Sequence, residues 1–301
     1  MFSPSCGSTR MTTGAGAAIQ VLVLSVPAPG IVGVKLTDFS AYGCLRPRCL
    51  SEIGAPVADQ LKQFRRRHIY PLFRPFFPYR KNRFAAITVY YKKHLDGGGR
   101  GIGQGFIPFL QSRGMPMQRR VFEWCAGPGF IGFSLLAHDL CETLCLADIN
   151  PEAVAACRRT VEANRLADRV LVYHSNNLKS IPSSERWDLV VSNPPHFAEA
   201  SIEGFPTDEY SGDLRAYDPE WSVHREFFAT VKTFLAPGGV IILQENGAGS
   251  TADTFRGMIE QAGLEVIFVQ GGAPQRMSIG RIYYIGIKRA GDVAPEWARQ
   301  F

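Results

Sequence analysis

Residues able to do chemistry gather in three short stretches of this chain. Residues 127 to 132 read Gly127-Pro128-Gly129-Phe130-Ile131-Gly132, a GxGxxG set between a short apolar run, Val121-Phe122, and a helix-like run from Phe130 to His138. Glycine adopts backbone angles closed to other residues and lets a ligand approach the main chain. A helix start adds free N–H groups and partial positive charge. Such a turn suits a nucleotide-type ligand, although glycines also simply make turns. The second stretch, Leu144 to Asp148, reads as a strand ending in an acid, twenty-one positions after Gly127. A carboxylate there is placed to bind a ribose. The third, Trp187 to Ser192, reads as a buried strand that runs directly into Asn193-Pro194-Pro195-His196.

Taken together, the glycine turn, the acid after the next strand and the NPPH after a later one resemble the class I S-adenosylmethionine-dependent methyltransferases. Within these, the chain is similar to the branch carrying (N/D)PP(Y/F/W), which methylates planar nitrogens: base amines, or the glutamine amide of release factors. The resemblance runs over residues 100 to 289. It implies S-adenosyl-L-methionine as cofactor. Glu123, Cys125, Ala126, Gly127 and Gly129 match the first motif, with the Glu123 carboxylate facing the cationic methionine amino group. Cys125 stands where a glycine is usual, and the turn survives if Cys125 keeps ordinary strand angles. Asp148 would accept both ribose hydroxyls, Ile149 would cover one face of the adenine, and Asn177, where relatives carry Asp, would accept a bond from the adenine amine through its amide oxygen.

The same resemblance assigns catalysis to Asn193, Pro194, Pro195 and His196, with Asn193 also beside the cofactor. A conjugated nitrogen is a poor nucleophile because its lone pair is delocalised. The Asn193 side chain and the Pro194 carbonyl accept from its N–H₂ and favour pyramidalisation, so acceleration comes from positioning and aligned dipoles. Two prolines stiffen the loop. His196 stands where relatives have an aromatic ring; it either stacks on the planar group or takes a proton. Phe197 is a second candidate for the aromatic face. The histidine at 196 favours a protein side-chain amide or a small guanidine or amine metabolite as acceptor over a nucleic-acid base. Against NPPH stands the plain reading of a strand-ending turn. His224 falls on a helix capped by Ser222, where helix packing is the simpler role.

These residues need strands and helices in alternation, and the chain supplies them. Pro151 to Asn164 reads as a helix with proline at its first turn, Arg169 to His174 as a strand and Ser222 to Leu235 as a helix. Val240 to Gln244 reads as a strand, Ala252 to Ala262 as a helix, and Leu264 to Gln270 and Arg281 to Lys288 as a closing antiparallel pair. The pattern predicts an α/β fold: a Rossmann-like seven-stranded methyltransferase sheet with helices on both faces, plus a basic N-terminal extension. The expected divisions are a poorly ordered or weakly structured extension over 1–55 with one strand at most, a basic aromatic-rich segment with a Gly-rich lid over 56–118, the cofactor-binding domain over 119–290, and a tail over 291–301.

Charge is unevenly spread. Residues 56–120 hold fourteen Lys and Arg against two acids, whereas residues 121–301 hold fifteen against twenty-three. Over 62–83, basic residues such as Arg65, Arg66, Arg67, Arg74 and Arg80 interleave with Phe64, Tyr70, Phe73, Phe76 and Tyr79. This composition suits phosphates and stacked bases and marks a candidate nucleic-acid surface. The competing reading is a helix and loop whose aromatics pack on the core while the arginines face water. The Gly-rich run 97–105 lacks the Lys-Ser/Thr of a P-loop and reads as a lid. Seven cysteines, an odd number with no CxxC, point to reduced thiols in a cytoplasmic protein and to no zinc site. Ala17 to Pro27 is apolar but too short to span a bilayer, so no membrane association is expected. Two further classes fit part of the pattern: a nicotinamide-dependent oxidoreductase, which gives NPPH no purpose, and a methyltransferase fold used only for binding.

Overall fold

The structure, a computed structural model, describes residues 78–199 apart from 98 and the side chain of Ile102, residues 216–271 and 282–299, and the backbone of 8–12, 18–24 and 33–36. The chain divides into two units, Met1–Gln63 and Phe64–Phe301. In the first, strands β1 (Ser8–Thr12), β2 (Ala18–Leu24) and β3 (Gly33–Leu36) form an antiparallel sheet in that order, with Arg10 opposite Gln20 and Leu22 opposite Lys35. Three strands therefore stand where the sequence led us to expect one at most.

The second unit begins with a hairpin, β4 (Arg80–Phe84) and β5 (Ile87–Tyr91). A seven-stranded sheet follows, built from β6 (Gln118–Trp124), β7 (Cys141–Asp148), β8 (Val170–His174), β9 (Trp187–Ser192), β10 (Leu235–Asn246), β11 (Leu264–Gly271) and β12 (Ile282–Arg289). Its order is β11-β12-β10-β9-β6-β7-β8. The strands from β10 to β8 run parallel, and β12 lies antiparallel between β10 and β11. The helices are α1 (Phe106–Ser112), α2 (Phe130–Ala137), α3 (Pro151–Asn164), α4 (Ser222–Val231) and α5 (Ala252–Gln261).

Alternation along each strand sends side chains to opposite faces. Val121, Leu144, Leu189 and Ile242 meet Phe106, Leu110, Ile131 and Leu135 of α1 and α2 in one core. Phe122, Cys145, Val190 and Ile241 meet Phe227, Val231, Phe255 and Ile259 of α4 and α5 in the other. Helices thus cover both faces, as expected. Two boundaries differ. Helix α4 ends at Val231 and passes through a 3₁₀ turn, Lys232–Phe234. Strand β10 begins at Leu235, because the pairing with β9 shifts register between Leu235 and Val240 and so absorbs Ala236-Pro237-Gly238-Gly239 as an irregularity.

The end of the basic segment is a packed hairpin, not the helix and loop of the packing reading. Thr88 N–H donates to Asn164 Oδ1 (2.9 Å), Asn164 Nδ2 donates back to Thr88 O (2.8 Å), and Tyr90 N–H donates to Thr160 Oγ1 (2.9 Å), which fixes β5 along α3. Tyr91 meets Phe130 edge-on at 5.1 Å. The Tyr79 ring carries Arg159 at 4.6 Å and Lys92 at 5.6 Å, so these cations stack on the chain's own aromatic. Residues 62–77, the larger part of the candidate nucleic-acid surface, lie outside the described residues. The Gly-rich run forms a 3₁₀ turn, Ile102–Gly105, and closes on the start of α2: a Cβ on Gly103 would stand 2.8 Å from Ile131 Cγ1, and Ser134 Oγ donates to Gln104 Oε1 (3.0 Å). Among the described residues no helix is long and apolar enough to cross a membrane.

Candidate active site

Sheet order decides what comes together. Strands β6 and β9 are parallel neighbours, and Trp124 is the partner of Ser192. Ser192 Oγ–H donates to Trp124 O (2.6 Å), tying the two strand ends. The next residues, Cys125 and Asn193, therefore leave the sheet side by side at its carboxyl edge, where open α/β sheets bind ligands. On the other side of β9, Leu243 pairs with Ser192, which brings Glu245 to the same edge. Beyond β6, β7 ends at Asp148. The row across the edge is Glu245, Asn193, the glycine turn and Asp148.

The glycine turn is held by backbone bonds: Ala126 N–H to Ala147 O (3.0 Å) and Gly129 N–H to Ala126 O (2.8 Å). Gly127 (φ 52°) and Gly129 (φ 78°) are left-handed, and Gly129 caps α2. Cys125 is left-handed too, at φ 51°, so the expectation of ordinary strand angles does not hold. The turn imposes on Cys125 the conformation a glycine takes without penalty, at a cost of about 1–2 kcal/mol. Burial, together with nearby Asp148, Asp218 and Glu245, raises its thiol well above the usual range, so it stays an unreactive thiol.

Glu123 is almost wholly buried. Its Oε2 accepts from Gly132 N–H (2.7 Å) and its Oε1 from Ile131 N–H (3.3 Å). Its carboxylate thus faces the first turn of α2, and the residue anchors that helix to β6. Burial pushes the carboxyl up to about 8 against the pull of these two amides. Gly132 is required here, because a Cβ would stand 2.8 Å from Glu123 Oε2 and 2.7 Å from Leu144 Cδ1.

Asp148 Oδ2 accepts from Gly127 N–H (2.7 Å) and Oδ1 from Asn150 N–H (2.8 Å). Each oxygen keeps a second lone pair, so the carboxylate can still take two hydroxyls. Burial raises its pKa while the two amides lower it. The cap of α3 is Asn150, accepting from Glu152 N–H (2.9 Å), with Pro151 in the first turn. Ile149 is 43% exposed, an open apolar surface beside the acid. Asn177, left-handed at φ 54°, is buried. Its Nδ2 donates to Val223 O (3.0 Å), which settles the amide orientation, and its Oδ1 has no hydrogen-bond partner among the described residues. An acceptor buried in this way costs about 1–3 kcal/mol and is what a ligand N–H would satisfy.

NPPH sits in a buried polar chain. Asn193 Oδ1 lies 2.8 Å from His196 Nε2, and His196 Nδ1 lies 3.1 Å from Glu245 Oε2. Glu245 Oε1 lies 3.1 Å from His224 Nε2, and His224 Nδ1 lies 2.6 Å from Asp218 Oδ2. Asp218 also accepts from Val223 N–H (2.8 Å) and His224 N–H (3.1 Å), so it does the capping expected of Ser222, which lies inside the helix. Burial opposes charge on His224, but Glu245 and Asp218 outweigh it and raise the imidazole to about 9. In turn, both carboxylates fall below their ordinary values despite burial, held down by His224 and, for Glu245, by His196 as well. Four aromatic rings surround the His224 ring: Phe255 stacks at 4.7 Å, Trp124 and Trp221 meet it edge-on at 5.4 Å, and Phe228 is tilted at 6.1 Å.

Two expectations about rings change accordingly. His196 is held in plane by bonds at both nitrogens and is 8% exposed, not an open stacking surface. Phe197 is wholly buried; its N–H donates to Ala216 O (3.0 Å), and its ring lies against Gly249, so it presents no open face. Pro194 and Pro195 are buried as well. Residues 200–215, which follow this loop, lie outside the described residues. Asp218 and Glu245 were missed altogether. The signal was an acid at the end of an otherwise apolar strand, Val240-Ile241-Ile242-Leu243-Gln244-Glu245, since a carboxylate there must find a partner.

Residues 84–205 match the family model of the methyltransferase small domain. The release factor glutamine methyltransferase of Clostridium acetobutylicum is 32% identical over 135 residues, 41% of this chain and 45% of that protein. The ribosomal RNA small subunit methyltransferase C of Shewanella denitrificans is 34% identical over 110 residues, 36% of this chain and 28% of that protein. The chain thus spans less than half the length of both relatives. The solved T. thermophilus 16S rRNA N2 G1207 methyltransferase, in complex with AdoMet and guanosine, aligns with a TM-score of 0.48 and 18% identity over 70% of this chain and 50% of its own.

Proposed function

We propose, from a chain whose residues 84–205 form a methyltransferase small domain, that the protein is an S-adenosylmethionine-dependent N-methyltransferase acting on a planar amine or amide nitrogen. The observation that carries this reading is the pairing of Trp124 with Ser192, which sets the glycine turn and Asn193 next to one another at one sheet edge. A cofactor held by the first lies beside an acceptor held by the second.

The residues fit that cofactor. Asp148 has lone pairs left for ribose hydroxyls, Ile149 offers an apolar surface for adenine, and Asn177 Oδ1 is a buried acceptor matched by the adenine amine. When bound, S-adenosylmethionine supplies a methyl group on a sulfonium. The protein's own part is to exclude water and orient the acceptor. Asn193 accepts a hydrogen bond from the acceptor N–H₂ and turns its lone pair out of conjugation; the Pro194 carbonyl is the second acceptor. Glu123 acts at one remove, by fixing the start of α2 beneath the methionine end.

The acceptor class follows the relatives: a protein side-chain amide, as the name of the Clostridium protein indicates, or an RNA base, as that of the Shewanella protein does. We favour the side-chain amide. Neither His196 nor Phe197 opens a ring face on which a nucleobase would stack. A contribution of residues 62–83 to RNA binding remains part of the alternative, and such binding would weaken steeply with salt. Calorimetry with S-adenosylhomocysteine and with NAD tests the cofactor: the first should bind and the second should not. Labelled methyl transfer to separated protein, RNA and small-molecule fractions tests the acceptor, and label entering the RNA alone would overturn the amide reading.

A further inference from the structure

Between Asn193 and the aromatic box around His224 lies a run of buried polar groups that methyl transfer by Asn193 alone does not require. We propose that Glu245 is a positioning residue for Asn193, acting through His196: it holds the His196 proton on Nδ1 and thereby decides whether the Asn193 amide turns its oxygen or its NH₂ toward the acceptor. This inference rests on the reading of Asn193 given above.

The argument is one of donors and acceptors. Glu245 is wholly buried, and its Oε1 faces His224, itself held between two carboxylates. An ionised carboxylate only accepts. His196 Nδ1, 3.1 Å from Glu245 Oε2, must therefore carry a proton whatever the state of the ring. The variable atom is Nε2, 2.8 Å from the Asn193 side chain. In the arrangement observed, Nε2 faces Oδ1, an acceptor, so Nε2 is the donor of that bond whenever the amide stands this way. The Asn193 oxygen is then shared with His196. When Nε2 loses its proton it becomes an acceptor, and the matching group on Asn193 is the NH₂. A half-turn of the amide supplies it and leaves Oδ1 free for the acceptor N–H₂.

Charge favours the same division of labour. The charged groups around His196 are Glu245 from β10 and, through it, His224 of α4 and Asp218 ahead of that helix; the Cys125 thiol at the adjoining strand end is raised by burial and then by Asp148, Asp218 and Glu245, and stays neutral. With both imidazoles protonated, the two carboxylates are balanced. With His196 neutral, the group carries one net negative charge beside the nitrogen that becomes positive as it accepts the methyl. Two backbone features keep the ring in place. Phe197 exchanges bonds with Ala216 and Asp218, its O accepting from Asp218 N–H (2.8 Å). Gly249 packs so closely on the His196 carbonyl that any side chain there would overlap it.

The test does not depend on finding the methyl acceptor. Nitrogen NMR of the full chain labelled at histidine reads the tautomer of His196 directly across a pH titration, with the signal assigned by its loss in His196→Gln. In the wild type, the neutral ring should carry its proton on Nδ1. In Glu245→Gln, the Nε2–H tautomer should appear at a comparable level. In Asn193→Asp, both side-chain oxygens accept, no half-turn is needed, and Nε2 should keep its proton to a pH higher by about one unit. S-adenosylhomocysteine calorimetry on each variant, expected to change less than about threefold, reports that the fold is kept. A neutral wild-type ring protonated on Nε2 would overturn the proposal, as would a Glu245→Gln protein with an unchanged tautomer. If the tautomers behave as stated but no fraction accepts a methyl group, the relay stands and the methyltransferase reading is what fails. Once an acceptor is in hand, Glu245→Gln should lower kcat by about tenfold or more with the cofactor KM unchanged.

Discussion

The two halves of the site solve the same problem, how to keep a carboxylate at a buried sheet edge, in different ways. On the side of β6 and β7, Glu123 and Asp148 are held by main-chain N–H groups of Gly132, Ile131, Gly127 and Asn150. On the side of β9 and β10, Glu245 is held by two imidazoles, and Asp218 by one imidazole together with two main-chain N–H groups. Amides cannot lose a proton, so the donors of the first half are fixed, and what titrates there is the buried Glu123 carboxyl, raised to about 8. The second half can change its pattern, because each imidazole nitrogen is a donor or an acceptor according to pH. On the proposed function, donors of fixed polarity would face the cofactor and groups whose polarity can be set would face the acceptor.

The sharpest way to break that comparison is at Asn193. If Asn193 holds the acceptor nitrogen, as proposed, and not the adenosine end, Asn193→Ala should keep most S-adenosylhomocysteine affinity and lose turnover by about a hundredfold or more, the usual cost of removing an aligned group from a preorganised site. Steady-state kinetics with calorimetry alongside separates the two quantities, and full-speed turnover would refute nitrogen methylation at this loop. Asp148→Ala should do the reverse: cofactor affinity should fall by about 2 kcal/mol, the scale of hydrogen bonds to a charged acceptor, with the methyl-transfer step less affected at saturation. Unchanged affinity in a folded variant would remove Asp148 from the cofactor site.

How far each half could be read from the sequence follows from the same difference. The placement of Gly127, Gly129, Asp148 and Asn177 was legible because their surroundings are local: a turn, the end of the next strand and the loop after β8. The alternation of strands and helices was legible for the same reason, down to the bounds of α3. What failed there was orientation. Cys125 takes the left-handed angle because the turn demands it, against the residue's own preference, and Glu123 faces α2 because Gly132 leaves room for its oxygen. The acceptor half was legible only as the four residues of NPPH. Its partners come from α4 and β10, joined by sheet order, and no spacing announces that His196 will meet a residue 49 positions away. His196, standing where relatives carry an aromatic ring, and Phe197 beside it suggested stacking, whereas the hydrogen bonds at His196 and the burial of Phe197 make both part of the wall.

Gly249→Ala tests the join between the loop after β10 and NPPH without touching a polar group. A Cβ there would overlap the His196 carbonyl oxygen and lie 2.5 Å from Phe197 Cδ1. Overpacking of this kind costs about 1–3 kcal/mol. Lower thermal stability and lower kcat are expected, with S-adenosylhomocysteine affinity held. Gly257→Ala is the matching control, since a Cβ there meets nothing within 4 Å. If Gly249→Ala lost cofactor affinity as strongly as turnover, the two halves would not be separable.

The smallest effect, and the one that reads the polar chain most directly, is on stability against pH. His224 is raised to about 9 in the folded protein, whereas an unfolded chain holds it near 6.5. The folded state therefore binds the proton more tightly. Its contribution is complete below about pH 6.5 and is lost as pH rises through about 9. Between those limits unfolding free energy should fall, by no more than about 1.4 kcal/mol per pH unit from this group. Glutamine can still bond one carboxylate but cannot titrate, so His224→Gln should be less stable at pH 6.5 and show a flatter profile above it. Denaturant unfolding at half-unit steps from pH 6 to 9.5 measures both slopes. Parallel profiles would mean that His224 is not the cation holding Asp218 and Glu245.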